Sequence, residues 1–529
     1  MNRLNLFSKK TIAAVCIAFV FSHTAFFAED ASNSDKLESQ RVLNMVDFLH
    51  EYDLNPHTSA YTSEAQIMTA LYEGLYSYNP VSLEPTPALA ESFKVSRSRL
   101  RWTFTIRKNA KFSDGSAITA QSVRDSWLNL LANPAASYSS LLDCIEGAED
   151  FRTGKGKRDA VGIYAKNANT LVVTLNTPAP HFQRLLCHHA FSVVPAKPNV
   201  YSGSFTLKSY EDGILELAKN PKYWDAASVA LPGIRIEQSG DPDENTFAFN
   251  TGAADWVTGN IEPKSLINAR AVSMAAEYGT QFLFFKCENE PWNNAEFRQA
   301  LLAAVPWAEL RSKAVVAAET LIYPLSMYPA VTGYKDTDAD EALDLMKKAR
   351  KKAGIPEKKE IEISIALSEE ESENRFYDSL VAAWKPLGVK LTAQRTAVEN
   401  YLSNIKNWNA DIFLYSWIGD FAEPLAFLEL FRTESKLRET KWTSSEYDRL
   451  LTEASTISDT AERYRVFAKA EQLLLDEAVI MPISHPVSFH IIDTNVVGGW
   501  YSNALDVHPF KYLYLKKPQI TVQNLVFAK

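Results

Sequence analysis

The chain has 529 residues, of which 46% are apolar and 22% charged, and its formal net charge is −9. Such a length exceeds a typical domain several-fold, so two or three lobes are expected, each with its own core. The acidic balance excludes a general nucleic-acid binder, and the densest basic run, Lys347-Lys348-Ala349-Arg350-Lys351-Lys352, reads as the solvated C-terminal end of a helix.

The first 28 residues read as an export signal. Arg3, Lys9 and Lys10 form a basic start, Thr11 to Phe27 is apolar but short for a membrane span, and Ala25 and Ala28 are small residues near a cleavage point. Cys16 follows Ala13-Ala14-Val15, a poor lipoprotein box, so simple cleavage is preferred over lipid anchoring. Cys144, Cys187 and Cys287 remain after cleavage. Their spacing fits neither a zinc site nor CxxC chemistry; export permits one disulfide, with the pair left open. The plain alternative is three small buried apolar residues.

Val42 to Phe48 opens the fold as a strand, and Ser63 to Tyr72 has helical spacing at Ile67, Met68, Leu71 and Tyr72. Leu100 to Ile106 alternates with period two, Thr119 caps a helix through Trp127, and Thr170 to Leu175 is a further strand. A second β-containing block holds Phe205-Thr206-Leu207, Ile214 to Ala218, Ile234-Arg235-Ile236 and the apolar run Gln281 to Phe285. The character then changes to helices at Glu296–Val305, Asp338–Ala353 and Arg375–Trp384, with strands at Glu360–Leu367 and Val389–Gln394. This β-α-β alternation predicts an α/β lobe with a parallel component. Thr443-Ser444-Ser445-Glu446 and Asp459 to Glu462 start two more helices, and Ile480 to Ile483 and Phe510 to Leu515 read as strands.

Enzyme motifs are missing. There is no GxSxG elbow and no HExxH, and Gly154-Lys155-Gly156-Lys157 lacks the upstream glycine of a phosphate-binding loop. His188-His189 would point to opposite faces of a strand, which is wrong for chelation. Aromatics make up 12% of the chain, enough to line a ligand cleft as well as cores. Binding is therefore favoured over turnover. The most distinctive stretch is Leu414-Tyr415-Ser416-Trp417-Ile418-Gly419-Asp420-Phe421-Ala422-Glu423-Pro424, an apolar strand ending in an acid on a glycine-containing turn. An acid so placed can hold a cationic group.

From about Val42 to Lys516 the chain resembles the extracellular solute-binding proteins of family 5, the oligopeptide- and dipeptide-binding proteins of bacterial ABC importers. The matching stretches, in order, are Tyr72-Glu73-Gly74-Leu75, Pro87 to Phe93, Trp102-Thr103-Phe104-Thr105-Ile106-Arg107, Ala110 to Gly115, Ser122 to Trp127, Lys219 to Asp225, Phe297-Arg298-Gln299-Ala300-Leu301 and Trp417 to Leu430. The resemblance implies an α/β, periplasmic-binding-protein-like clamp of the class II, cluster C type, with three lobes and a ligand cleft between them. Lobe I would comprise 42–72, 200–288 and 489–517, lobe II the β-rich insertion 73–199, and lobe III residues 289–488, followed by a tail at 518–529. It also implies an exported, periplasmic, monomeric protein that binds peptides and delivers them to ABC transporter permease subunits at the inner membrane. No cofactor, metal or catalytic residue is implied.

By the same resemblance, Asp420 matches the acid that holds the peptide α-ammonium; the plain alternative is a turn acid or helix cap. Trp417 matches an aromatic lining the cleft, with core packing as the other reading. Ser416 and Ile418 would offer backbone groups to the peptide. Tyr138 is similar to a tyrosine contributed by the β-rich lobe, and Thr62 falls where the first lobe pairs main chain with ligand; either could be ordinary surface or core.

Several positions depart from the family pattern. Oligopeptide-binding relatives often place an Arg six residues before the anchoring acid, where this chain has Leu414, and a basic residue further upstream matches Ile405. The loop Ser368 to Glu373 is acidic where relatives can offer a cation. The ligand's amino end is thus expected to be held, while its carboxyl end lacks the usual partners. Val305-Pro306-Trp307 replaces an acid-base pair, so the helix before it should end differently. The other readings are the same fold retuned to a metal chelate, haem or sugar, a non-transport adhesin or peptide sensor, and an exported hydrolase.

Overall fold

The computed structural model describes residues 41–516 apart from 60–61, 137, 370, 398–400, 402–407, 420, 434 and 436–437, and only the backbone at 62–63 and 371–375. The expected signal at 1–28, Asp420, Ile405 and the tail therefore lie outside the described residues.

Three larger sheets, beside two of two strands each, organise the described residues. The first has seven strands, in the order Val272–Ala276, Val487–Ile492, Trp256–Val257, Leu43–Asp47, Gly233–Gln238, Ile214–Lys219 and Phe205–Glu211. Its central strand, Leu43–Asp47, is flanked by parallel partners on both sides, and the other pairings are antiparallel. A strand buried on both faces needs apolar residues at odd and even positions. Accordingly Leu43 and Met45 join a core with Ile234, Ile236 and Trp256, while Val46 joins a second one with Val257 and Ile491.

The second sheet is antiparallel: Ala90–Val95, Arg101–Ile106, Thr170–Thr174 and Ile163–Asn167. The period-two pattern read in Arg101–Ile106 is realised, with Trp102, Phe104 and Ile106 buried. Helix Ala120–Ala132 starts at a capping box between Thr119 and Ser122. Its Trp127 is fully buried and donates its indole N–H to the Phe191 carbonyl at 2.9 Å.

The third sheet has six strands: Val316–Ala317, Ile480–His485, Gly279–Phe285, Ile412–Ile418, Ile361–Ser368 and Val389–Thr396. Ile361–Ser368 and Val389–Thr396 are parallel, joined by helix Glu371–Trp384, as the β-α-β pattern predicted. Helix Ala339–Ala353 begins at the Asp338 cap and stops at Gly354, whose φ of 69° lets the chain turn left-handed at little cost.

Four local expectations change. Phe510–Tyr512 is a 3₁₀ turn and only Tyr514–Leu515 is a strand, because the Tyr512 and Leu513 N–H groups bond back to Pro509 and Phe510. The helix Ser445–Thr456 is capped by Ser444 rather than Thr443, through a bond from the Tyr447 N–H at 3.3 Å. His188 and His189 lie at a 3₁₀ turn rather than on a strand, with ring centroids 4.3 Å apart. After helix Ala295–Ala303, Pro306 starts a short helix, Trp307–Leu310, whose Trp307 ring stacks on Tyr334 at 5.2 Å. The three cysteines are free, Cys187 buried and the others half-buried. Among the described residues no helix is long and apolar enough to cross a membrane.

Candidate ligand-binding site

Strand Ile412–Ile418 is paired unevenly. On one side it runs antiparallel to Gly279–Phe285 over its whole length. On the other it meets Ile361–Ser368 only at Ile412 and Phe413. Among the described residues, no strand pairs with Ser416 or Ile418 on that side. The Gly419 N–H donates to the Tyr278 carbonyl at 2.8 Å, on the paired side. In an antiparallel ladder, bonding alternates, so residues 414, 416 and 418 turn their N–H and C=O the other way. Leu414 bears this out. Its N–H donates to the Tyr401 hydroxyl at 3.0 Å, and that hydroxyl faces the carbonyls of Leu414 at 3.0 Å and Ala366 at 3.1 Å. Tyr401 thus fills the fork where the two parallel strands diverge.

Beyond the fork, Ser416 and Ile418 present their backbone groups along the open edge, and both side chains are exposed. Trp417 faces the opposite side. It is half-buried, stacks on Tyr415 with ring planes 15° apart and donates its indole N–H to the Ala426 carbonyl at 2.9 Å. It also lines a cavity of about 330 Å³ bounded by Leu141, Cys144 and His181 on one side and by Phe421 and Leu425 on the other. One edge of the ring is pinned by that bond, and the residue also borders the cavity.

The turn after the strand is held from three directions. Gly419 sits so close beneath Tyr278 that a Cβ there would lie 2.7 Å from the ring. Phe421 stacks on His181 at 5.4 Å and 12°. Burial, aided by the positive charge of Arg463, lowers the His181 pKa to about 4, so the imidazole is neutral. Glu423 is fully buried and paired with Arg463 at 2.7 Å, with the Tyr464 hydroxyl at 3.4 Å and Arg184 at 3.8 Å. Asp420, between these fixed points, lies outside the described residues.

The remaining predicted positions sit elsewhere in the molecule. Tyr138 is half-buried and packs on His188 at 4.3 Å and edge-on to His189 at 5.8 Å. Thr62 begins helix Thr62–Leu71, and the loop just before it is tied to the same place by the Ser59 carbonyl, 3.2 Å from His189 Nε2. The structure thus gathers Ser416, Trp417 and Ile418 on one strand and sets Tyr138 near the approach to Thr62 at the His188–His189 turn. Leu414, where relatives can carry an arginine, is a buried core residue.

Sequence reading missed one cluster. His490, Asp506 and His508 bring three potential metal-ligand atoms within 4.8 Å of one another. Their hydrogen bonds argue against a metal. The Trp256 indole N–H, which can only donate, points at His490 Nδ1 at 3.2 Å. His490 therefore carries its proton on Nε2 and donates to Asp506 at 2.7 Å, while His508 Nε2 donates to the same oxygen at 3.1 Å. A metal on His490 Nε2 would force the proton onto Nδ1, against the indole N–H. The two imidazoles instead hold Asp506 well below the usual carboxylate range despite its burial. Spacing gave no hint of this, because the residues come from a strand and a later loop.

The α/β frame of these sheets is the fold of the periplasmic solute-binding proteins. Residues 84–438 match the family model described as bacterial extracellular solute-binding proteins, family 5 Middle. The chain belongs to that family, whose members are substrate-binding proteins rather than enzymes. It is 25% identical over 547 aligned residues to the oligopeptide-binding protein OppA of Bacillus subtilis, covering 96% of this chain and 100% of the relative. It is 26% identical to the dipeptide-binding protein DppE of the same organism, covering 92% and 93%. The crystal structure of Haemophilus influenzae OppA in complex with RPPGFSPFR superimposes with a TM-score of 0.73 at 22% identity, covering 90% of this chain and 99% of that one. That likeness establishes the shared fold.

Proposed function

We propose that this protein is the exported, monomeric peptide-binding component of an ABC importer, working in the periplasm with permease subunits at the inner membrane. Five relatives carry the word periplasmic in their names. In this reading each of the three larger sheets is the core of one lobe, with the boundaries given above shifted at two places, since Gly279–Phe285 belongs to the six-stranded sheet and Val487–Ile492 to the seven-stranded one. Lobe II is inserted in lobe I, and lobes I and III close on the ligand.

The observation that carries the proposal is the open edge at Ser416 and Ile418. An extended peptide adds to such an edge through its own N–H and C=O groups, which gives affinity without dependence on side-chain identity. Asp420, directly beyond the edge, holds the peptide α-ammonium, and Trp417, Tyr138 and Thr62 complete the surroundings. Leu414 lies in the core and offers nothing to a peptide carboxylate, so the ligand is held chiefly by its amino end.

The test is mass spectrometry of whatever copurifies with the protein, followed by calorimetry with N-acetylated and C-amidated forms of the peptide found. Acetylation should abolish binding and amidation should be tolerated. A non-peptide ligand, or indifference to acetylation, refutes the proposal.

A further inference from the structure

Among the described residues the chain passes between the seven-stranded and six-stranded sheets twice. Val272–Ala276 continues through Glu277 and Tyr278 into Gly279–Phe285, and Ile480–His485 continues through Pro486 into Val487–Ile492. The two crossovers lie side by side, with the Glu277 N–H donating to the Pro486 carbonyl at 2.8 Å. Any rotation of one sheet against the other must be absorbed by the backbone torsions of these few residues.

Tyr278 stands at that point and touches both sides. Its N–H donates to the carbonyl of Ala504, in the segment that follows the seven-stranded sheet's last long strand. Its carbonyl accepts from Gly419 N–H at 2.8 Å, at the turn that ends the open edge. Its ring is fully buried, sits edge-on to Phe427 at 4.9 Å and covers Gly419 so closely that no larger residue fits. Among the described residues its hydroxyl has no hydrogen-bond partner, so the ring's position there is set by shape.

We infer that Tyr278 is the positioning residue that couples the hinge to the ligand-anchoring turn. The peptide plane that rotates during closure carries the carbonyl that holds Gly419, and the ring of the same residue is the floor on which the turn rests. Movement at the hinge therefore displaces the turn, and fixing the turn with a ligand biases the hinge. The inference rests on the clamp reading above, but its test needs no ligand.

Spin labels on Glu211→Cys and Lys348→Cys, both exposed and on different sheets' units, report the interlobe distance in the full chain carrying Cys16→Ala, Cys144→Ala, Cys187→Ala and Cys287→Ala. Hydrogen exchange of peptides covering Gly419 reports the turn. Tyr278→Phe keeps the ring and should match the parent in both. Tyr278→Ala should speed exchange at Gly419 by about tenfold, the scale of one net hydrogen bond, and shift or broaden the distance distribution in the ligand-free protein. A residue with only a packing role would lower the melting temperature and leave the distance distribution of the folded molecule unchanged. Should Tyr278→Ala not fold, Tyr278→Leu and Gly419→Ala carry the same expectation. The inference is overturned if exchange at Gly419 rises while the distances stay as in the parent, or if neither changes. Failure of the peptide-binding proposal would show instead in the calorimetry, with these ligand-free results intact.

Discussion

Ser416→Pro separates the open edge from the sheet behind it. The Ser416 N–H points away from Gly279–Phe285, so proline at this position removes a group facing the cleft and no bond of the antiparallel ladder. Proline is tolerated on strand edges when the lost N–H faces outward. Stability should therefore change by less than about 1 kcal/mol. Ligand affinity should fall much further. One backbone hydrogen bond is worth about 0.5–1.5 kcal/mol net, and the ligand carbonyl left unpaired in the cleft costs about 1–3 kcal/mol more. A combined loss of about 1.5–4.5 kcal/mol weakens Kd by at least about tenfold. Calorimetry with the copurified peptide measures the affinity, and thermal melts of the same samples measure stability. Ser416→Ala keeps the N–H and removes only an exposed hydroxyl, so it should bind as the parent does. A folded Ser416→Pro protein that binds within about threefold of the parent, well under 1 kcal/mol, would refute strand addition at this edge.

Three further outcomes follow from the geometry. Burial, and then the charge of Asp506, raise the Glu277 pKa from 4.5 to about 7, with His490 opposing. Between those values the folded state keeps a proton that the unfolded state has released, so stability falls as pH rises. Glu277→Gln should then raise stability by about 1–3 kcal/mol near pH 8 and by little near pH 4; an equal gain at both, measured by denaturant titration, would refute this account. Arg463→Met strips buried Glu423 of its 2.7 Å partner and should cost about 3–5 kcal/mol, with much of the loss recovered on adding Glu423→Gln; a loss under about 1 kcal/mol in urea would show that the pair is not needed. Trp417→Phe gives up the bond to the Ala426 carbonyl and should lower stability by about 1–2 kcal/mol, checked by thermal melts, with no loss expected if solvent replaces that bond.

The residues that made the family legible are mostly struts. Glu73, in one matching stretch, is buried and accepts from Tyr223 at 2.5 Å and from Trp224 at 2.6 Å, both in another, and pairs with Lys511 at 2.7 Å. Arg107, closing a third stretch, stacks over the Trp224 ring at 3.9 Å. Arg298, in a fourth, is buried and caps the carbonyls of Trp292, Ala478 and Glu477 at 2.6, 3.2 and 2.7 Å. Buried charges of this kind tolerate few replacements, because removing one partner strands the other in a dry core. They therefore leave recognisable motifs, and the motifs speak for the frame. Secondary structure was legible for a related reason: period-two strands such as Arg101–Ile106 and capped helices such as Ala339–Ala353 are local patterns.

The site, as proposed, works through groups that every residue possesses. In that proposal Ser416 and Ile418 matter for their N–H and C=O, so their side chains carry almost no signal, and only the resemblance pointed to them. What makes the edge available is the early departure of Ile361–Ser368 at Phe413, a property of two strands that are far apart in sequence. The same holds for Tyr278. Nothing in Glu277-Tyr278-Gly279 marks a hinge until the strands on either side are seen to belong to different sheets. Gly419 could be read as a turn glycine, but its stricter requirement, contact with the Tyr278 ring, appears only in three dimensions. A substitution scan should accordingly find two classes of sensitive position. Struts such as Arg298 and Glu73 should fail in stability first. Ser416→Pro should fail in binding with the fold intact, and a scan in which both classes lose stability together would mean that the edge is part of the frame after all.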